Sequence, residues 1–218
     1  MSDLASFLPI LLQGAWVTIQ ISLLSLIIAL VIGLVMALLR ISDQFVLSNF
    51  ARIYISAIRG TPLMVQLMYM YFVLPETGVQ LSPYAAAVVG LSINEGAYLA
   101  EVIRAGIRSI GKGQMEAAYS IGMNYSTAMR RIILPQALRN VLPPIGNSAI
   151  ILLKNSSLAA VITVNELMHT GEQLANTTFR NLEIFTLVAV IYWILHYPLA
   201  HYVNRLERRL SYDSARRH

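Results

Sequence analysis

Four stretches of the chain, Leu4 to Leu39, Gly60 to Pro75, Thr77 to Asn94 and Ile184 to Asn204, contain no Asp, Glu, Lys or Arg. A helix crosses the hydrocarbon of a bilayer with about 20 predominantly apolar residues, and lipid offers no partner to an unpaired backbone amide. Uncharged runs of this length restrict the fold to helices packed within a membrane. Composition agrees, since 56% of the 218 residues are hydrophobic and only 12% are charged, where a soluble domain carries about 25% charged residues. We expect an all-α integral membrane protein, one domain over 1–218, with five spans near 10–39, 50–74, 84–108, 137–163 and 184–204. The second is secure only from Gly60 onward, and the fourth must accommodate Lys154.

Connections rich in Lys and Arg stay on the cytoplasmic side. With alternating spans, Arg40, Arg52, Arg59, Arg104, Arg108, Lys112, Arg130, Arg131, Arg139, Arg205, Arg208, Arg209, Arg216 and Arg217 fall on or toward one side, leaving Arg180 on the other. The amino end is therefore expected outside and the carboxyl end in the cytoplasm. A net charge of +5 raises the question of nucleic acid. The basic residues gather at helix ends, where topology and anionic lipid account for them, so no nucleic acid partner is expected. There is no cysteine, which removes disulfides and thiolate metal sites.

Local signals punctuate the spans. Arg59-Gly60-Thr61-Pro62 lies inside the second expected helix, and proline breaks or kinks a helix by removing a backbone hydrogen bond. Leu74-Pro75-Glu76-Thr77-Gly78 reads as an outer turn. Asn165 to Asn181 reads as a polar outer stretch, with Glu166, His169, Glu172 and Gln173, that is placed to meet a soluble partner. Asn204 to Arg209 reads as a basic amphipathic tail.

The polar segment 111–135 separates the third and fourth spans. Gln114 to Ile121 favours a helix, with Gly122 suited to the left-handed turn that ends it. Asn124 is placed to cap a second piece, Tyr125 to about Leu134, with Pro135 starting a kink. Glu116 and Tyr119, three apart, share a face. Two short helices at an angle make a stiff knob, although a helix-turn-helix that merely connects spans reads the same way.

The order Glu116-Ala117-Ala118, three residues, Gly122, nine residues, Ile132, one residue, Leu134-Pro135 resembles the cytoplasmic coupling loop of the membrane subunits of bacterial ATP-binding-cassette (ABC) importers. Arg59-Gly60-Thr61-Pro62-Leu63 with Gln66, Gly96-Ala97-Tyr98 with Ala100-Glu101 and Arg104, and Leu142-Pro143-Pro144 with Gly146-Asn147 and Lys154 are similar to the polar amino acid permeases of that superfamily, of the histidine, glutamine and cystine type. The resemblance implies a type I-like permease in the bacterial inner membrane. It implies a second permease subunit, identical or homologous, two cytoplasmic ATPase subunits and an extracytoplasmic amino acid-binding protein. Glu116, Ala117, Ala118, Tyr119 and Gly122 are then expected at the ATPase groove, with ATP and magnesium on the ATPase and no cofactor on this chain.

Polar side chains at membrane depth are costly and tend to face a pathway. Gln66, Asn94, Glu95, Glu101, Asn147 and Lys154 are the candidates. Asn94 and Tyr98 are four apart and share a face, and Asn147 and Lys154, seven apart, lie on one face of the fourth span with Ser156 and Ser157 beside it. An amino acid substrate needs a cation or amide for its carboxylate and an acid or carbonyl for its ammonium. Lys154 and Glu95 have those charges, and Gly60-Thr61-Pro62 offers free backbone groups. Glu95 either biases substrate choice or pairs with Lys154 in the empty site, while Glu101 with Arg104 and Arg108 reads as a structural ion pair.

Gly111-Lys112-Gly113 lacks the spacing of a phosphate-binding loop, and His169, His196, His201 and His218 have no ligand-like spacing. No catalytic residue and no metal site are expected. The remaining alternative is an ATP-independent carrier or channel that relays ions through Glu95, Glu101 and Lys154, although such carriers usually have more helices per chain.

Overall fold

The computed structural model describes the backbone of residues 4–215 and the side-chain surroundings of residues 6–210. Arg216, Arg217 and His218 lie outside the described residues. The α-helices are α1 (Leu4–Ile41), α2 (Phe45–Arg59), α3 (Leu63–Met68), α4 (Pro83–Arg108), α5 (Lys112–Ser120), α6 (Tyr125–Ala128), α7 (Leu134–Asn155), α8 (Leu167–Thr178) and α9 (Asn181–Ala215). A π turn, Tyr69–Val73, and a 3-10 turn, Leu74–Thr77, continue α3; a second π turn, Met129–Ile133, joins α6 to α7; a 3-10 segment, Ser156–Ile162, follows α7.

The central seam is α1 against α4, running in the same direction. Ser25 donates to the carbonyl of Val88 at 3.3 Å, Gly96 sits against Ile32, and Gly33 against Leu99 and Ala100. Small residues let backbones approach closely where lipid gives no hydrophobic drive to association. A Cβ on Gly96 would lie 2.7 Å from Ile32 Cγ2. α7 runs antiparallel to both α4 and α9, with Val141 over Gly106 and Gly146 under Val203. Ile21, Leu67, Leu91, Leu152, Ala159 and Ile162 form the buried cluster that joins α1, α3, α4, α7 and the 3-10 segment.

Among the described residues, four helical runs are long and apolar enough to cross a membrane: Ser6–Ile41, Pro83–Arg108, Tyr125–Ile162 and Asn181–Leu210. The expected second span is not one continuous helix. It divides at Gly60–Pro62 into α2 and α3, with Pro62 extended at the cap of α3, because Pro62 has no amide to donate and disfavours helical geometry in the residue before it.

The fourth span also differs. It begins at Tyr125, and Pro135 does not start a kink: Leu134 bonds the carbonyl of Met129 five residues back, so the wider turn delivers Pro135 into the first turn of α7, where a missing amide costs little.

Most of the polar stretch 165–181 folds as the helix α8. α8 runs antiparallel to α1 and α9, with Gly14 against Leu167 and Thr170, and Gly171 against Val188. Its first residues meet Tyr192 of α9, roughly 17 Å along that helix from Asn181 at 1.5 Å per residue. The 3-10 segment before it therefore crosses sideways at depth. Irregular backbone survives there because protein encloses it: Ser156, Ala159 and Ile162 are fully buried.

Candidate functional site

A cavity of about 700 Å³ opens between the Gly60–Pro62 break, α4 and α7, lined in part by Arg59, Thr61, Asn94, Glu95, Tyr98, Glu101, Ser148, Ile151 and Asn155. Thr61, Asn94, Glu95 and Tyr98, all expected from the sequence, come together here. Gln66 stands behind the wall and holds the break. Its Nε2 donates to the carbonyl of Ile58 at 2.8 Å and to the Oγ1 of Thr61 at 2.7 Å, while its Oε1 accepts from Asn94 Nδ2 at 3.0 Å. An unwound backbone at this depth needs such partners, since a buried carbonyl without one costs roughly 1–3 kcal/mol.

Glu95 is only 4% exposed, and Ser148 lines the same cavity. It makes no ion pair among the described residues. The Glu95–Lys154 pair weighed from the sequence does not form. Lys154 and Asn147 are exposed on α7, and neither lines the cavity, whereas Ile151 between them does. Seven-residue spacing puts Asn147 and Lys154 on one stripe, and the packing of α7 on α4 and α9 then aims that stripe outward. Ser156 is fully buried, donating to the carbonyl of Leu153 at 2.7 Å, and does not reach the cavity.

Glu101 is held by Arg104 through both carboxylate oxygens, the closest contact 2.6 Å. Arg59, read from the sequence as a topological charge and as the first residue of the Arg59-Gly60-Thr61-Pro62 break but not as a pathway residue, lines the cavity with its guanidinium 5.1 Å from the centre of the Tyr98 ring. Its place directly before the Gly60–Pro62 break is the signal that marks it in the sequence.

The polar knob forms as its local chemistry dictates. α5 ends in a Schellman closure, with Met123 N bonding Ala118 O at 3.0 Å and Gly122 N bonding Tyr119 O at 2.9 Å, and Gly122 takes φ +80°. The side chain of Asn124 accepts from Thr127 N at 2.9 Å and caps α6. Glu116, Ala117, Tyr119 and Gly122 are exposed. Ala118, expected beside them, is buried and packs inside the knob. Ile121 and Tyr125 add apolar surface to the exposed side.

Sequence reasoning missed the role of Glu166. It is fully buried and accepts from Met168 N at 2.9 Å, His169 N at 2.7 Å, Tyr192 Oη at 2.8 Å and Thr18 Oγ1 at 3.4 Å. One carboxylate thereby caps α8 and ties it to α1 and α9.

Comparison with known proteins gives a consistent picture. Residues 29–212 match the family model described as binding-protein-dependent transport system inner membrane component. The glutamine transport system permease protein GlnP of Escherichia coli (strain K12) is 43% identical over 206 residues, covering 94% of each chain. The L-cystine transport system permease protein TcyB of Bacillus subtilis (strain 168) is 43% identical, covering 94% of this chain and 88% of that one. A crystal structure of an amino acid ABC transporter with histidines contains a chain that is 36% identical and superposes with a TM-score of 0.90, covering 95% of this chain and 97% of that one. The inward-facing MetNI methionine ABC transporter, at 22% identity and a TM-score of 0.78, shares the fold. With its helices, its knob and its match over most of its length, this chain belongs to the family of binding-protein-dependent transport system inner membrane components, as a membrane permease subunit of the amino-acid ABC importers.

Proposed function

We propose that this chain moves a polar amino acid into the cytoplasm by alternating access, driven by a separate ATPase subunit that grips α5 and the Gly122 turn. The observation that carries this reading is connectivity. The knob lies between α4 and α7, and those two helices supply Asn94, Glu95, Tyr98, Ser148 and Ile151 to the cavity wall. Asn140 Nδ2 also donates to Ser109 Oγ at 2.9 Å, which fastens the inner end of α4 to α7. A force applied at Glu116 or Tyr119 is therefore directed to both walls.

The resident partners in this reading are two ATPase subunits holding ATP and magnesium, a second permease subunit, and an extracytoplasmic binding protein that delivers the substrate. Lys154 supports the second subunit: an ammonium facing lipid is expensive, so the Asn147–Ile151–Lys154 face belongs against protein. The glutamine and cystine relatives support a polar amino acid as cargo. The amino end lies outside and the carboxyl end inside, as the basic residues require. Gentle solubilisation from native membranes tests the assembly. A nucleotide-hydrolysing subunit should co-purify and crosslink to a probe at Tyr119; recovery of the chain alone, with the probe reaching only lipid or water, would overturn the reading.

A further inference from the structure

A second cavity, of about 460 Å³, is walled by arginine. Arg40 reaches it from the last turn of α1, Arg52 and Arg59 from α2, and Tyr98 and Glu101 from α4. Arg59, Tyr98 and Glu101 also border the larger cavity, whereas Arg40 and Arg52 do not. Glu101 is the one carboxylate among the residues lining this second space, and Arg104 already holds both of its oxygens. Arg40 and Arg59 stand within electrostatic reach of the same carboxylate. Arg40, Arg52, Arg59 and Arg104 therefore share a neighbourhood with a single negative charge. Helix capping does not absorb the excess, because the carbonyls of Ala57 and Ile58 at the end of α2 accept from Thr61 Oγ1 at 3.0 Å and Gln66 Nε2 at 2.8 Å.

The pattern of α2 says what kind of anion fits. Arg52, Ser56 and Arg59, spaced by four and three, form the stripe that lines the cavity. Val46, Phe50 and Ile53 repeat that spacing as a second stripe, 76%, 57% and 61% exposed, about 120° round the helix at 3.6 residues per turn. A basic stripe beside an apolar one is the signature of a helix lying at a membrane surface.

We propose that the Arg40–Arg52–Arg59 cavity seats the phosphate of an anionic phospholipid of the inner leaflet, with an acyl chain running along Val46, Phe50 and Ile53. Basic pockets between helices on the cytoplasmic side suit acidic headgroups, and a guanidinium matches phosphate oxygens two at a time. The apolar stripe favours a lipid over a soluble anion. The headgroup bridges α1, α2 and α4 beside Gly60, which lines the same cavity. This site needs the orientation given above, with the end of α1 in the cytoplasm, and does not depend on the cargo or on ATP.

The test places the purified chain, with the subunits that accompany it, in nanodiscs of equal parts phosphatidylglycerol and phosphatidylcholine, and identifies the retained lipid by native mass spectrometry. Wild type should retain phosphatidylglycerol in preference. Arg40→Gln and Arg52→Gln should each reduce that preference about fivefold, while Arg139→Gln, which removes an equal charge on α7, should leave it unchanged. Phe50→Ser should weaken retention with every arginine in place. Arg40 also donates to Ser48 Oγ at 3.2 Å, so if Arg40→Gln does not fold, Arg52→Gln, at an exposed position, carries the same comparison. Retention should survive millimolar inorganic phosphate and millimolar L-glutamine. Displacement by phosphate would assign the cavity to a free anion, and displacement by glutamine would assign it to the transport path; either result overturns the lipid site. A preference untouched by Arg52→Gln, or lowered equally by Arg139→Gln, would overturn it as well. ATP-dependent uptake by the same preparation is read separately: uptake without any lipid preference defeats this site alone and leaves the importer reading standing.

Discussion

The phenol of Tyr192 donates to the carboxylate of Glu166 at 2.8 Å, so a residue on the last long helix holds the first turn of α8. The same carboxylate takes two α8 amides and the Thr18 hydroxyl. Removing it leaves several buried donors empty, and hydrogen bonds to a charged group are worth about 1.5–3 kcal/mol each. Glu166→Ala should destabilise the protein by about 3 kcal/mol or more, and Tyr192→Phe, which removes one donor, by about 1–2 kcal/mol. Thermal unfolding in detergent checks the order, and equal shifts from the two variants would contradict a carboxylate acting as the hub.

The glycines of the knob should respond in opposite directions. Gly122 has φ +80°, so Gly122→Ala should cost about 1 kcal/mol, and Gly122→Pro, which cannot reach that φ, should break the turn. Gly113, in α5 with open space around it, should gain roughly 0.5–1 kcal/mol as Ala. Protease protection of the knob in the purified protein reads both changes.

Gly96→Leu should damage assembly of the α1–α4 seam. A side chain there meets Ile32 at once, and overpacking of this kind costs about 1–3 kcal/mol. The expected outcome is a lower unfolding temperature and a reduced yield of monodisperse protein. Gly111→Ala, with no atom within 4 Å of the added carbon, should match wild type in both measurements.

A photo-crosslinking residue at Ile151 should capture a second permease subunit. Ile151 is exposed between Asn147 and Lys154, beside an exposed cation that calls for protein cover rather than lipid. An adduct of permease size is the expected product in native membranes; labelled lipid alone would place that face against the bilayer.

The elements legible in the sequence were those governed by neighbours in the chain. The break at Pro62, the left-handed Gly122 and the Asn124 cap each follow from a residue's own backbone chemistry. So did the crossings at α1, α4 and α9, whose uncharged runs announce them. What escaped depended on distant partners. Glu166 sits in a polar stretch that reads as solvent-exposed, yet it is buried because Thr18, 148 residues away, and Tyr192, 26 residues away, supply donors. Lys154 and Ser156 are close in sequence to the cavity lining, but helix packing turns one outward and the other into the core. Arg59 was hidden by its second role as a basic residue at the end of a helix.

The most direct measurement is uptake of radiolabelled amino acid into proteoliposomes that contain this chain, its ATPase and its binding protein, with ATP hydrolysis followed in parallel. The account predicts ATP-dependent accumulation by wild type. It also predicts loss of that accumulation in Glu116→Lys, a reversal of charge on the exposed knob, with the permease still folded and inserted. Accumulation driven by a proton gradient without ATP, or undiminished coupled uptake in Glu116→Lys, would contradict it.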